Sequence, residues 1–423
     1  MVNQRVVHLC ARRGLSAASS MQKYFVDVYA KPDLVLTRGR GSRLFDDINK
    51  REYIDFVAGI AVTSLGHSDP AVAEVIAAQA ATLVHTSNLF HNSEALKLAE
   101  KLVEDTKRFG GQHDAAKVFF CNSGTEANEA AMKFSRRCAL RINPQKQGFI
   151  AFENSFHGRT MGSLSVTSKA KYRLPFGDMV PHVTFLNIHD SVEKLESFIV
   201  ENASKTAAMI LEPIQGEGGI HSVAEGKLVA LGRLCKKHDI VLIYDEIQCG
   251  LGRTGKLWAH SYLPPDAHPD IFTTAKALGN GFPMGATVVN SKINEVLSVG
   301  DHGTTYGGNP LACAVGSHVL GRIAQESFLD DVKTKADVFT TQLHALQDKY
   351  PCIKEIRGDG LMIGVEFKID ISDIISKARE KGLLITAAGP NTLRIVPALT
   401  IEEDLIKQGV QILDAVIRET SAT

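Results

Sequence analysis

The sequence predicts an α/β protein, with a large domain on a mostly parallel, helix-covered sheet and a smaller α+β domain assembled from the N- and C-terminal segments. Three observations predict it. Short apolar runs of strand character alternate with helical segments through the middle of the chain, the pattern of a parallel sheet. The chain has 423 residues, longer than one core usually grows, so two packed domains are expected. Polar, Gly-containing motifs follow one apolar strand after another. That puts them on a single rim of the sheet, where open α/β folds bind ligands.

Residues 1–22 stand apart. Arg5, Arg12, Arg13, Ser16, Ser19 and Ser20 precede the first acid, Asp27, with no long apolar run. A basic, Ser-containing, acid-free N-terminus has the composition of a mitochondrial transit peptide, so removal in the matrix is expected. Residues 23–75 are expected to join the small domain through strands at Leu34–Thr37, Arg43–Asp46 and Glu52–Phe56, which alternate apolar and polar residues. A helix with Pro in its first turn is expected over Pro70–Leu83.

The large domain is expected over 76–318. Strands are predicted at Val118–Phe120, Gly148–Phe152, Ala207–Leu211, Ile240–Tyr244 and Asp270–Thr273. Helices are predicted at Glu126–Arg137 and Gly226–His238, with a long helix over Gly308–Ala324 leaving the domain. The small domain, 319–423, is predicted to have strands in Ile356–Phe367 and Thr392–Val396 and helices over Ile371–Lys381 and Ile401–Glu419.

Charge is balanced, with 47 basic and 47 acidic residues, so neither a nucleic-acid groove nor an anionic membrane surface is expected. No run approaches the ~18 apolar residues of a spanning helix. The seven cysteines are scattered and lack C-x-x-C spacing, which argues against a disulfide framework or a zinc site.

Lys276 follows the strand Asp270–Thr273, and Asp245 ends the apolar run from Val241. An amine able to form a Schiff base and an acid able to hold a pyridinium nitrogen are what a protein supplies to use pyridoxal phosphate (PLP). Asp245 could instead bind a metal with Glu246, but no His lies near in sequence. Ser123-Gly124-Thr125-Glu126 opens a helix with capping-box spacing. Alone it describes a well-capped helix; with a ligand, it is a phosphate site at the positive helix end. Phe156 could stack on a ring and Arg159 could grip a carboxylate, although the same segment reads equally as a surface turn. Glu217 lies in a Gly-rich loop. Thr304 and Thr305 lie in a second, hydroxyl-rich loop. Arg394 interrupts an apolar strand, so it either snorkels or pairs with an anion.

Together these motifs resemble the class III aminotransferases, PLP enzymes of fold type I, from about residue 25 to the end. The residues that carry the resemblance are Ser123–Asn128, Ser155–Thr160, Glu212–Gly219, Asp245–Gly255 and the segment around Lys276. Within the family it looks most like the fungal mitochondrial members acting on acylated ornithine. The resemblance implies transamination between N2-acetyl-L-ornithine and 2-oxoglutarate by a homodimer, in arginine biosynthesis. It implies that Gly124 and Thr125 bind the PLP phosphate, with Thr305 reaching the partner subunit's phosphate. Phe156 would stack on the ring, Asp245 pair with the pyridine nitrogen, Gln248 bond the ring hydroxyl, and Lys276 carry the cofactor and move the proton. Arg159, with Thr304 nearby, would hold the α-carboxylate of the acylated ornithine. Arg394 would bind the glutamate α-carboxylate, and Glu217 would neutralise Arg394 when the longer substrate reacts.

Ile60 stands where relatives acting on free ornithine carry a Tyr that contacts the α-amino group. An aliphatic side chain tolerates an acylated nitrogen but leaves a free ammonium unpaired. Ornithine and 4-aminobutyrate aminotransferases stay open as alternatives, as do aminomutases and decarboxylases of the same fold, which have no need of Glu217 and Arg394 for alternation with glutamate.

Overall fold

A computed structural model describes residues 24–421; the expected leader lies outside them. The large sheet has seven strands in the order Ala115–Cys121, Gly285–Asn290, Ile271–Thr274, Val241–Asp245, Thr206–Leu211, Gly148–Phe152 and Val183–Leu186. Gly285–Asn290 runs antiparallel to both neighbours and the remaining pairs are parallel. The central strands are buried along their whole length, as expected of a sheet covered on both faces. Helices Gly124–Ile142, Val192–Asn202 and Glu225–Lys237 cover it, while Pro310–Ile323 packs on Ser93–Arg108 and Pro70–Thr82.

The last helix of that group starts as its sequence dictates. Asn309 accepts from the Ala312 amide at 2.8 Å and Pro310 occupies the first turn, where its missing N–H costs nothing. The boundary expected at 318/319 falls inside this helix.

A second sheet, Ile353–Asp359, Met362–Phe367, Thr392–Ile395 and Thr386–Ala388, is antiparallel. Its apolar core includes residues of Glu326–Lys349, Ser372–Glu380 and Glu403–Ser421, and also Ile54 from the N-terminal strands and Phe56 just after them. Those strands, Arg38–Arg40, Arg43–Asp46 and Arg51–Asp55, form a sheet with Leu383–Leu384. Phe56 lies against Gly409, where any Cβ would come within 2.1 Å of the ring.

The strand expected at Leu34–Thr37 is not formed; the strand is Arg38–Arg40. The hairpin with Arg43–Asp46 pairs Arg38 with Phe45, and of the earlier residues only Thr37 reaches the partner backbone. Leu34 instead closes a turn onto the Pro32 carbonyl. The strands Val183–Leu186 and Gly285–Asn290 and the helices Ser93–Arg108, Val192–Asn202 and Glu326–Lys349 were not anticipated from the sequence. No helix among the described residues is long and apolar enough to cross a membrane.

Candidate active site

Five loops leave the carboxyl ends of neighbouring strands and close on a cavity of about 360 Å³. Its wall includes Gly124, Thr125, Phe156, Arg159, Asp245, Gln248 and Lys276, seven of the residues expected from the sequence.

The first loop ends in the N-terminus of a 19-residue helix. Ser123 accepts from the Glu126 amide at 3.3 Å, and the Glu126 carboxylate accepts from the Asn122 amide at 2.9 Å. Thr125 Oγ1 then gathers the neighbouring loop, bonding Thr160 Oγ1 at 3.0 Å and accepting from the Arg159 amide at 3.2 Å. Gly158 permits this approach: a Cβ there would lie 2.2 Å from Thr125 Oγ1, at a φ of +136°.

Asp245 is buried at its strand end. Its Oδ2 accepts from Asn128 Nδ2 at 2.8 Å and from His157 Nδ1 at 2.8 Å. A carboxylate only accepts, so the His157 hydrogen is on Nδ1. Asn128 also donates to the His157 carbonyl at 2.7 Å and accepts from Thr273 Oγ1 at 2.9 Å. The acid is thereby fixed by a helix residue and a loop residue, with Asn128 braced in turn by Thr273 of the next strand.

Lys276 begins a short 3-10 turn with φ at +42°, a conformation a non-glycine residue holds only where its surroundings enforce it. Its amine makes no hydrogen bond or ion pair among the described residues. Burial pushes the amine down to about 8, helped by the charge of Arg394 and opposed by Glu217, Asp245 and Glu212. An amine so placed is a usable nucleophile near neutrality.

Beyond Lys276, Arg394 is buried in its strand and ion-paired with Glu217; a second contact reaches Gln248 Oε1 at 3.5 Å. Burial pushes the Glu217 carboxyl up, but Arg394 outweighs it and holds the group below its ordinary range. Among the described residues, Arg394 Nε is buried without a partner.

Glu212, Asn128 and His157 were not singled out from the sequence for roles. Glu212 accepts from the Phe156 amide and from the Gly216 amide, each at 3.0 Å, and so fastens together two loops of the site. Burial, with Asp245 adding to it against His157, pushes its carboxyl up to about 7. The signal was present: like Asp245, Glu212 is an acid closing an apolar strand, and Asn128 is a polar residue on the helix's buried face.

Five expected residues lie apart from the cavity wall: Glu217 and Arg394, paired as described, and Thr304, Thr305 and Ile60. Thr304 Oγ1 accepts from Asn122 Nδ2 at 3.1 Å, and Thr305 is exposed beside it. Ile60 is partly buried at φ +66°, in a stretch where Ala58, Gly59, Ile60 and Ala61 all have positive φ; Val62 is the residue of this segment that lines the cavity.

The residues present fit PLP. A cavity of this size holds a small ligand. Asp245 is a pre-fixed anion for the ring nitrogen, Lys276 offers an unbonded amine, and the helix end at Gly124 suits a phosphate.

The family Aminotransferase class-III matches residues 25–417, and the chain belongs to it. Its cofactor is pyridoxal 5′-phosphate. The chain is similar to the mitochondrial acetylornithine aminotransferase of Eremothecium gossypii, 86% identical over 423 residues and covering 100% of both chains. Among solved structures it is similar to N-acetylornithine aminotransferase from Stenotrophomonas maltophilia, with TM-score 0.80, 36% identity, and 95% of this chain and 99% of that one covered. It is also similar to the Toxoplasma gondii ornithine aminotransferase, described with partial PLP occupancy at its active site, with TM-score 0.90, 31% identity, and 100% of this chain and 99% of that one covered.

Proposed function

We propose that the chain catalyses PLP-dependent transamination between N2-acetyl-L-ornithine and 2-oxoglutarate, giving N-acetylglutamate 5-semialdehyde and L-glutamate for arginine biosynthesis in the mitochondrial matrix. The observation that carries this reading is the Glu217–Arg394 ion pair beside the Lys276 amine, a cation that can be masked or offered as the substrate changes. Identity to the acetylornithine enzyme of Eremothecium gossypii supports the substrate and the compartment.

When bound, the cofactor supplies an electron sink for the carbon that bears the reacting amine. Asp245, backed by Asn128 and His157, would hold the ring nitrogen protonated. Phe156 would cover the ring, Gln248 would bond its hydroxyl, and Gly124 and Thr125 would receive the phosphate. The Lys276 amine would hold the cofactor and then take and return the proton at the reacting carbon. Arg159 holds the α-carboxylate of the acylated substrate, with Thr304 nearby. Glu217 neutralises Arg394 in that half-reaction, and Arg394 binds the α-carboxylate of glutamate in the other. Ile60 leaves the acylated nitrogen room.

The division into 23–75, 76–318 and 319–423 belongs to the same proposal. It is supported by Ile54 and Phe56 sharing an apolar core with the C-terminal helices. A homodimer follows from the role given to Thr305, whose exposure leaves it available to a second subunit.

Single-turnover reactions of the loaded enzyme with separate amine donors test the substrate. N-acetylornithine should discharge the visible absorbance at least tenfold faster per unit concentration than 4-aminobutyrate. Equal rates would leave only the family-level assignment.

A further inference from the structure

Arg159 is exposed, yet its guanidinium is held. Its Cζ lies 3.5 Å from the centroid of the Tyr172 ring, in van der Waals contact, and 5.6 Å from that of Phe156. Among the described residues the side chain makes no ion pair and donates no hydrogen bond; only its backbone amide is engaged, by Thr125. A guanidinium stacked on an aromatic face keeps its N–H groups for a planar anion. Lys169 Nζ and Lys171 Nζ also lie near the Tyr172 ring, at 5.8 and 5.3 Å. Three cations therefore lie near one ring beside the cavity, and among the described residues none of them is in a salt bridge, although the Glu217 carboxylate feels the charge of Lys169.

Tyr172 itself is fixed. It lies in the short helix Ala170–Arg173, and its amide donates to the Lys169 carbonyl at 2.9 Å. The next residue, Arg173, bonds the Ser168 carbonyl at 3.1 Å and lies 4.6 Å over the ring of Phe185, tying the segment to the edge strand of the large sheet. The Tyr172 hydroxyl makes no hydrogen bond among the described residues, so the ring is the part in use.

We propose that Tyr172 is a positioning residue for Arg159, a platform that keeps the guanidinium at the cavity mouth with its donor edge turned to the substrate's carboxylate. The proposal rests on the role given to Arg159 above. Without the ring, a solvated Arg samples many rotamers, and the substrate must then order it on binding. The consequence is selective. Binding of an amine that carries a distal carboxylate weakens, while chemistry at Lys276 and cofactor uptake do not change.

Full-length chain loaded with PLP tests this through Tyr172→Leu, Tyr172→Phe and Arg159→Ala. The substrates are N-acetylornithine and N-acetylputrescine, which presents the same terminal amine without the carboxylate. Tyr172→Leu should raise KM for N-acetylornithine about fivefold, with kcat within about twofold and N-acetylputrescine unaffected. Tyr172→Phe should match the wild type, and PLP titration of the Tyr172→Leu apoprotein should give unchanged affinity. On the Arg159→Ala background Tyr172→Leu should add nothing. Equal loss on both substrates, or a full effect of Tyr172→Leu without Arg159, overturns the proposal while leaving the role of Arg159 intact. If Arg159→Ala itself leaves KM for N-acetylornithine unchanged, the role of Arg159 fails and the proposal with it.

Discussion

Glu217 and Arg394 are 177 residues apart in sequence and form an ion pair that ties a loop of the large sheet to a strand of the C-terminal sheet. Arg394 is buried, so its charge demands a partner whenever no substrate anion is there. Glu217 is the more exposed of the two and can move aside. In the proposed function the pair is a carboxylate-exchange device: a substrate carboxylate would replace that of Glu217, or leave it in place.

Arg394→Ala should therefore separate the half-reactions. Losing a desolvated guanidinium–carboxylate contact costs about 3 kcal/mol, or roughly 100-fold in kcat/KM. That loss is expected for glutamate and 2-oxoglutarate, with less than about tenfold for N-acetylornithine, in stopped-flow traces of each half-reaction. Comparable loss in both would remove the exchange role.

Lys276 links site chemistry to pH. Its amine titrates at about 8 in the fold against an ordinary 10.5, so the unfolded chain holds the extra proton between those values. Stability of the apoprotein must then rise with pH across that window. Lys276→Met should melt higher than wild-type apoprotein at pH 7, and the advantage should shrink as pH climbs from 8 towards 10.5. Covalent uptake of PLP by wild-type apoprotein should quicken about tenfold per pH unit below 8 and level off above it, since only the neutral amine attacks. Borohydride reduction and peptide mapping should label Lys276 alone.

Much of the rim was legible because Asp245 closes an apolar strand and Gly124, Phe156 and Lys276 follow others within a few residues. Asp245 and Lys276 could be placed side by side from this periodicity alone. What periodicity cannot supply is pairing between distant elements. The strand Gly285–Asn290 inserts antiparallel between Ala115–Cys121 and Ile271–Thr274, and no local pattern announces that return. The partner of Arg394 came from family resemblance, since its strand was compatible with either a snorkelling or a paired arginine. The stack of Arg159 on Tyr172 arises in an irregular segment, where neither helical nor strand spacing constrains which side chains meet.

Glu212 should prove to be a fastener of the site. Replacing it with Ala leaves the part-buried Phe156 amide and the buried Gly216 amide without an acceptor. Each orphaned amide costs about 1–3 kcal/mol, so a loss of about 2 kcal/mol or more in denaturant unfolding is expected, with weakened PLP affinity because Phe156 is released. A variant as stable as the wild type would show that water replaces the carboxylate without cost.

Thr305 provides the test of assembly. If it serves the neighbouring subunit's cofactor, then Lys276→Ala and Thr305→Ala chains, each impaired alone, should regain activity when mixed and re-equilibrated. Such heterodimers contain one site with both residues intact. Sedimentation at assay concentration should give twice the chain mass. Full activity in a monomer would rule the arrangement out.

In the proposed reading, substrate choice rests on Ile60. It precedes Val62, which lines the cavity, in a left-handed stretch that fixes the path of the chain beside the site. The side chain has no polar atom, so the α-ammonium of free ornithine would give up water without gaining a partner. An unpaired charge of this kind costs on the order of 1–3 kcal/mol, which gives at least about a tenfold preference in kcat/KM for N-acetylornithine over ornithine. The acylated nitrogen is uncharged and loses less. Ile60→Tyr supplies a hydroxyl at this position. It should raise kcat/KM on ornithine by about tenfold and lower it on N-acetylornithine, where the larger ring occupies space needed by the acyl group. Single-turnover rates on both substrates decide the matter. A wild type equally efficient on both, or a Tyr variant that gains nothing on ornithine, would shift discrimination away from Ile60 to the residues that line the cavity itself, with Val62 the first to examine.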